Sequence, residues 1–255
     1  MDPARHLELL RVEGERLAAV PADALDATVP TLEDWTVERV LRHTGKVHRW
    51  VAETVAAGPD GDLSTPLESL PRGPDCLPAY REALDEVLGA LARHDPEEPT
   101  ITFAGPGTVA FWARRQAHEV AVHRVDAADA IGAAGGAGPD PLAVDGAADA
   151  IDEWTSLFLG TRWGQRVGEV PDDLVGRTVH IHGTDDPAPA DGAEWLLTFT
   201  ADGVDVETVH AKGDVALRGP AEDLLLTLWR RRPLATVDVF GDDALARRVL
   251  DLARF

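Results

Sequence analysis

The 255-residue chain has a single cysteine, Cys76, so no intrachain disulfide can form and no cluster of thiolates can hold a metal. Lysine is nearly missing as well: Lys46 and Lys212 are the only two, and the rest of the 24 basic residues are arginine. Against 45 acidic residues they leave a net charge of −21. That deficit of positive charge excludes binding to nucleic acid through its phosphates and attraction to an anionic membrane surface. The acidity is spread along the chain, as expected of a solvated surface rather than an acidic tail. No apolar run approaches membrane-spanning length, and "MDPARHLELLRVEGERL" lacks the charged-then-apolar pattern of a signal peptide. A cytoplasmic location is the expectation. The preference for Arg over Lys, with abundant Ala, Gly, Asp and Val, suggests a GC-rich bacterial genome.

What is present divides into two textures. The first two-thirds read as helices. Leu7, Leu10 and Leu17 recur at helical spacing in the first. Thr36 is placed to cap the second, with Glu38 in its first turn and a stop at Gly58-Pro59. A loop rich in Pro, Gly and Asp follows from Pro59 to about Pro74, and a loop of this length and composition is often functional. A third helix covers "PAYREALDEVLGALARHD", and the turn "AGPGT" launches a fourth. The connector "GAAGGAGPDP" leads to a last helix holding Ile151, Trp154 and Leu157. Antiparallel helices joined in this way make a bundle. After Gly160, "RTVHIHG", "EWLLTFT", "GVDVETV" and "TVDVFGD" read as strands, the middle two as a hairpin. "GPAEDLLLTLWRRRP" and "DALARRVLDLARF" are helices. The expected fold is thus α plus α+β: a bundle over 1–163 and a smaller α+β domain over 164–255.

The fourth helix poses the chemical question. Glu119 and His123 lie one turn apart and so leave the same face, yet Ala117, Val120, Ala121, Val122 and Val125 around them belong to a buried helix. On a solvated face such a pair would be ordinary. Here Arg115 and Asp126 extend it to a polar stripe on an apolar helix, which is costly inside a bundle unless paired or metal-bound. Imidazole and carboxylate are standard ligands of zinc and related divalent ions. Asp126 could orient a ligand or pair with Arg115. A third ligand would come from the second helix, where His43 and His48 point about 140° apart at roughly 100° per residue. His43 lies in the apolar sector, whereas His48 adjoins Arg49 and Lys46 in what reads as an exposed neighbourhood, so His43 is the choice.

These segments carry a resemblance. "DWTVERVLRHTGKVHRW" and "VAFWARRQAHEVAVHRVDAADA" resemble the two signature segments of the mycothiol-dependent maleylpyruvate isomerase family, which belongs to the DinB-like four-helix bundles. "VHIHGTDD", "EWLLTFTADG", "GPAEDLLLTLWRRRP" and "VFGD" are similar to that family's sterol-carrier-like C-terminal domain. The resemblance implies a divalent ion, zinc by expectation, on His43, Glu119 and His123, with positions left open. It also implies an external thiol, mycothiol, the low-molecular-weight thiol of actinobacteria, since Cys76 lies outside both motifs. The activated thiol would either isomerise a small electrophile across a double bond or be transferred to it. Such a chain has a small thiol and a small electrophile as partners, and neither nucleic acid nor membrane. The alternative is a metal-containing small-molecule binding protein without catalysis.

Arg231 matches a position where the family usually has Arg and could act in catalysis or grip a carboxylate; it could equally cap a helix end. Arg72 and Arg231 are the cations available for the two carboxylates of maleylpyruvate. His180 and His182 share one face of a strand, but no third ligand lies nearby in sequence, so solvent exposure is expected of them. His118 points away from Glu119, toward a supporting or surface role, and Trp35, Trp50, Trp112 and Trp154 are expected in the core.

Overall fold

The computed structural model describes residues 1–64, 67–190 and 192–254. Its contacts divide the chain into two compact units, Met1–Asp140 and Pro141–Phe255. This division falls before the boundary at 163/164 expected from the sequence. The reason lies in the helix Val144–Glu153, which packs on the later helix Ala221–Leu228 within the second unit.

The first unit is a four-helix bundle of α1 (Pro3–Ala18), α2 (Val37–Ala57), α3 (Cys76–Arg93) and α4 (Val109–Ala133). The starts of α1 and α2 have a local cause. The Asp2 side chain accepts from the Arg5 amide ahead of Pro3, and Thr36 accepts from the Arg39 amide, each satisfying an orphan donor of the first turn. α2 ends as expected at Gly58, whose φ of 65° suits a residue without a Cβ. α1 packs on α4 and α2 on α3, while α2–α4 and α1–α3 contacts complete the bundle. Leu10, Leu17, Leu41, Tyr80, Val87, Trp112 and Val120 fill its core.

Between α3 and α4 the structure adds what the sequence did not suggest, a small antiparallel hairpin of β1 (Pro99–Thr102) and β2 (Gly105–Thr108). The expected "AGPGT" turn is its turn and second strand. The loop from Pro59 to Pro74 is tied down near its end. Arg42 donates to the Leu70 carbonyl at 2.9 Å, and Leu70 sits so close over Gly45 that a Cβ there would lie 2.5 Å from its Cδ2. Thr65 and Pro66 of that loop lie outside the described residues.

The second unit begins with α5 (Val144–Glu153), continued by a π-helical stretch Trp154–Thr161 and the short α6 (Trp163–Arg166). A five-stranded sheet follows, built from β3 (Thr178–Gly183), β4 (Glu194–Thr200), β5 (Gly203–Glu207), β6 (Val215–Gly219) and β7 (Asp238–Gly241). Their order is β5-β4-β3-β6-β7, with β3 and β6 parallel and every other pair antiparallel. The expected hairpin is β4–β5; β6 was not anticipated. α7 (Ala221–Leu228) and α8 (Asp243–Leu252) contact the sheet. Val179, Ile181, Trp195, Leu197, Phe199, Val215 and Leu217 form the buried face of the strands. No helix among the described residues is long and apolar enough to cross a membrane.

Candidate metal centre

The polar stripe of α4 survives folding as a stripe. Glu119 and His123 leave one face of the helix, and α2 packs against it so that His43 meets them. The Glu119 Oε1 atom lies 3.2 Å from His43 Nε2 and 3.3 Å from His123 Nε2, and one ligand atom from each of the three residues falls within 4.8 Å of the others. The remaining stripe residues serve this trio. Arg115 Nη2 donates to Glu119 Oε2 at 2.6 Å, so it pairs with Glu119. Asp126, fully buried, contacts His123 Nδ1 at 2.9 Å, so of the two partners weighed from the sequence it meets the imidazole, while Arg115 pairs with Glu119. His123 thus turns Nδ1 to Asp126 and Nε2 to Glu119.

The electrostatics follow from this contact set. Burial alone would raise the Glu119 pKa, but Arg115, then the hydrogen bonds from His123 and His43, hold it well below the usual carboxylate range. Burial likewise opposes charge on His123, yet the bonds to Asp126 and Glu119 outweigh it and raise the imidazole to about 9. The site therefore holds a proton on His123 because two carboxylates ask for positive charge. A divalent cation answers the same demand, and a carboxylate with two imidazoles, one of them braced by a second carboxylate, is a donor set suited to zinc-like ions.

Trp35, expected in the core, is half-buried instead. It stacks on His123 with the ring planes 10° apart and lies edge-on to His43, with the Arg39 guanidinium 4.9 Å over its own ring. It forms a wall of the site, a role that its position just before the helix cap did not reveal. Trp112 and Trp154 are buried as expected.

His48 corrects a premise. It is fully buried, not exposed: its Nδ1 lies 2.6 Å from Gln116 Oε1 of α4, and its ring packs near Tyr80. Burial lowers its pKa to about 4, with the Gln116 bond opposing only in part. His43 is the more exposed of the two, with 37% of its side chain accessible. His118 is buried rather than on the surface, edge-on to His6.

Arg72 is exposed, just ahead of α3 on the first unit. Arg231 lies past the end of α7 on the second unit, where its amide donates to the Leu226 carbonyl and its Nη1 to the Trp229 carbonyl at 2.9 Å. The helix-end arrangement weighed from the sequence is thus present at Arg231. His180 departs from its expected exposure: only 4% of it is accessible. Cys76 is buried as the first residue of α3, and burial, with the Glu38 charge next, pushes its thiol up to about 11.

Two family models match the chain. Residues 7–128 match the mycothiol maleylpyruvate isomerase N-terminal domain, and residues 145–248 match the C-terminal domain of the same family. Two solved structures of the mycothiol-dependent maleylpyruvate isomerase, one a histidine-to-alanine variant, share the fold. Both superpose with a TM-score of 0.56 over 94% of this chain and 93% of the other, at 15% identity for the variant and 14% for the parent. No curated protein sequence matches.

Proposed function

The chain belongs to the mycothiol maleylpyruvate isomerase family, and from that premise we propose that its first unit is a metal-dependent, thiol-activating site. A divalent ion, zinc in the first instance, is held by His43, Glu119 and His123. The thiol is a low-molecular-weight one, mycothiol by family, and the second partner is a small electrophile. The observation that carries this reading is the convergence of two imidazole Nε2 atoms on one ionised carboxylate oxygen.

When bound, such an ion lowers the pKa of a thiol beside it enough to yield thiolate near neutral pH. The chain's own residues prepare the place. Arg115 keeps Glu119 ionised, Asp126 fixes the ring and tautomer of His123, and Trp35 covers one side of both histidines. Cys76 is no rival nucleophile, since its thiol stays protonated at neutral pH. The mycothiol sulfur adds to one carbon of an activated double bond, and the π pair moves onto the conjugated carbonyl. Rotation about the new single bond and expulsion of the same thiolate give the trans isomer, with no net proton or electron change. Where the adduct is kept and protonated, the outcome is thiol transfer. Arg72 and Arg231 are assigned to carboxylates of substrate or thiol, Arg231 as the residue acting during turnover; a planar guanidinium suits that partner.

The test is incubation of zinc-loaded protein with mycothiol and a panel of electrophiles that includes maleylpyruvate, followed by mass spectrometry. Isomer with thiol recovered identifies the isomerase, and a stable thioether identifies the transferase. In parallel, mycothiol should perturb the visible spectrum of the cobalt-substituted protein. Metal binding with no spectral response to any small thiol would sink the catalytic reading in favour of a binding protein. Loss of turnover in Arg231→Ala is expected; unchanged turnover removes that residue from the reaction.

A further inference from the structure

The second unit carries a group of side chains for which the thiol chemistry has no use. His180 and His182 occupy one face of β3, two residues apart. In the β3–β4 register His182 stands directly opposite Glu194, which places that carboxylate on the same face. His210 arrives from the segment between β5 and β6. Its Nδ1 lies 2.6 Å from Glu194 Oε2, His182 Nδ1 lies 2.9 Å from that same oxygen, and His180 Nε2 lies 3.2 Å from it. The three rings stand 5.7, 5.7 and 5.9 Å apart, a nearly equilateral triangle around one carboxylate oxygen.

Hydrogen bonding alone serves this arrangement poorly. Each of the three nitrogens would have to carry a proton, and one oxygen would have to accept all three bonds, beyond what its lone pairs accommodate. A cation among the four atoms needs no such protons, because imidazole and carboxylate each offer it a lone pair. All four ligand atoms already lie within 4.8 Å of one another. Ligands bonded at about 2.0–2.2 Å to a tetrahedral ion stand about 3.4 Å apart, so small movements suffice. An access path exists too: His180, His182 and His210 line a cavity of about 540 Å³.

We propose that His180, His182, Glu194 and His210 form a second divalent metal site, independent of the one on α2 and α4. Three nitrogens, one oxygen and no sulfur select a first-row ion of the zinc, cobalt or nickel kind. Four protein ligands complete a tetrahedral set, which marks a structural ion rather than one that takes a substrate. Its physical effect is to cross-link β3, β4 and the chain around His210, whose side chain is otherwise 77% exposed.

The experiment uses the full chain without a His tag, stripped by chelator and titrated with cobalt while the visible spectrum and bound metal per chain are followed. His182→Ala/His210→Ala is expected to bind one equivalent fewer than the parent protein. His43→Ala/His123→Ala is expected to keep the equivalent lost there. Zinc should raise the melting temperature of His43→Ala/His123→Ala but not that of a chain lacking all four histidines. Equal metal content in the parent and His182→Ala/His210→Ala overturns the site. Should the double variant misfold, His210→Ala alone decides: its exposed side chain leaves the sheet intact, a 10-fold or greater loss of cobalt affinity at one site supports the proposal, and unchanged affinity ends it.

Discussion

His43 and His48 stand five positions apart on α2, and the helix turns them into opposite environments. His43 reaches the rim of the carboxylate site, whereas His48 is sealed between α2 and α4 with Gln116. Their immediate neighbours gave the opposite impression, because Lys46 and Arg49 flank His48 in sequence while pointing elsewhere on the helix. Burial holds His48 neutral to about pH 4, while an unfolded histidine titrates near 6.5. Between those values the unfolded chain binds a proton that the folded chain refuses, so stability falls as pH drops through that window. The full loss is about 3 kcal/mol below pH 4. Denaturant unfolding at a series of pH values should show a shallower decline for His48→Gln than for the parent, and matching slopes would refute this account. Asp126 lies 2.9 Å from Nδ1 of the His123 ring. Replacing an outer partner of this kind weakens metal binding by about 10–100-fold. Asp126→Ala should show that loss in a zinc competition titration, with the fold retained by circular dichroism; undiminished affinity would mean that His123 needs no brace.

Among the elements, α1 and α4 are joined by more than apolar contact. Arg124, adjacent to His123 in sequence but on another side of α4, places Nε 2.6 Å from Glu13 Oε2 of α1, and both side chains are buried. Arg16 also reaches Glu13, and Arg124 Nη1 donates to the Asp140 carbonyl at 2.7 Å. Removing one member strands the other charge in the interior, at a cost of about 3–5 kcal/mol. Glu13→Ala should therefore unfold at much lower urea concentration, while Glu13→Leu/Arg124→Met, which removes both charges, should recover most of the difference. Equal losses in the two variants would show that packing, not charge, holds the helices. The helices themselves were legible, since Thr36, Gly58 and the spacing of leucines act within a few residues. β1, β2 and β6 were not. "PTIT" alternates with its threonines, not its apolar residues, on the buried side, "GPGT" has the composition of a turn, and "VALRG" is too short to distinguish from a loop without its partners β3 and β7.

For the whole molecule, the division at Asp140/Pro141 gives each unit its own core. A fragment of residues 1–140 should consequently melt cooperatively with helical circular dichroism and bind one zinc ion that His123→Ala abolishes. A fragment that stays unfolded would show that the bundle depends on the rest of the chain. The amino-acid sequence by itself determined the two textures of the chain, the helix caps and the co-facial Glu119 and His123. Each of these follows from chemistry repeated at a fixed interval along one element. Only the tertiary structure decided which residues from other elements complete a group. It brought His43 to Glu119, buried His48 against Gln116, paired Glu13 with Arg124, and brought Glu194 and His210 to His180 and His182. The physical reason is that a strand or helix fixes the direction of a side chain but not what faces it. His180 and His182 carry no mark of the strand that will lie beside them, and the register pairing His182 with Glu194 exists only once β3 and β4 have met.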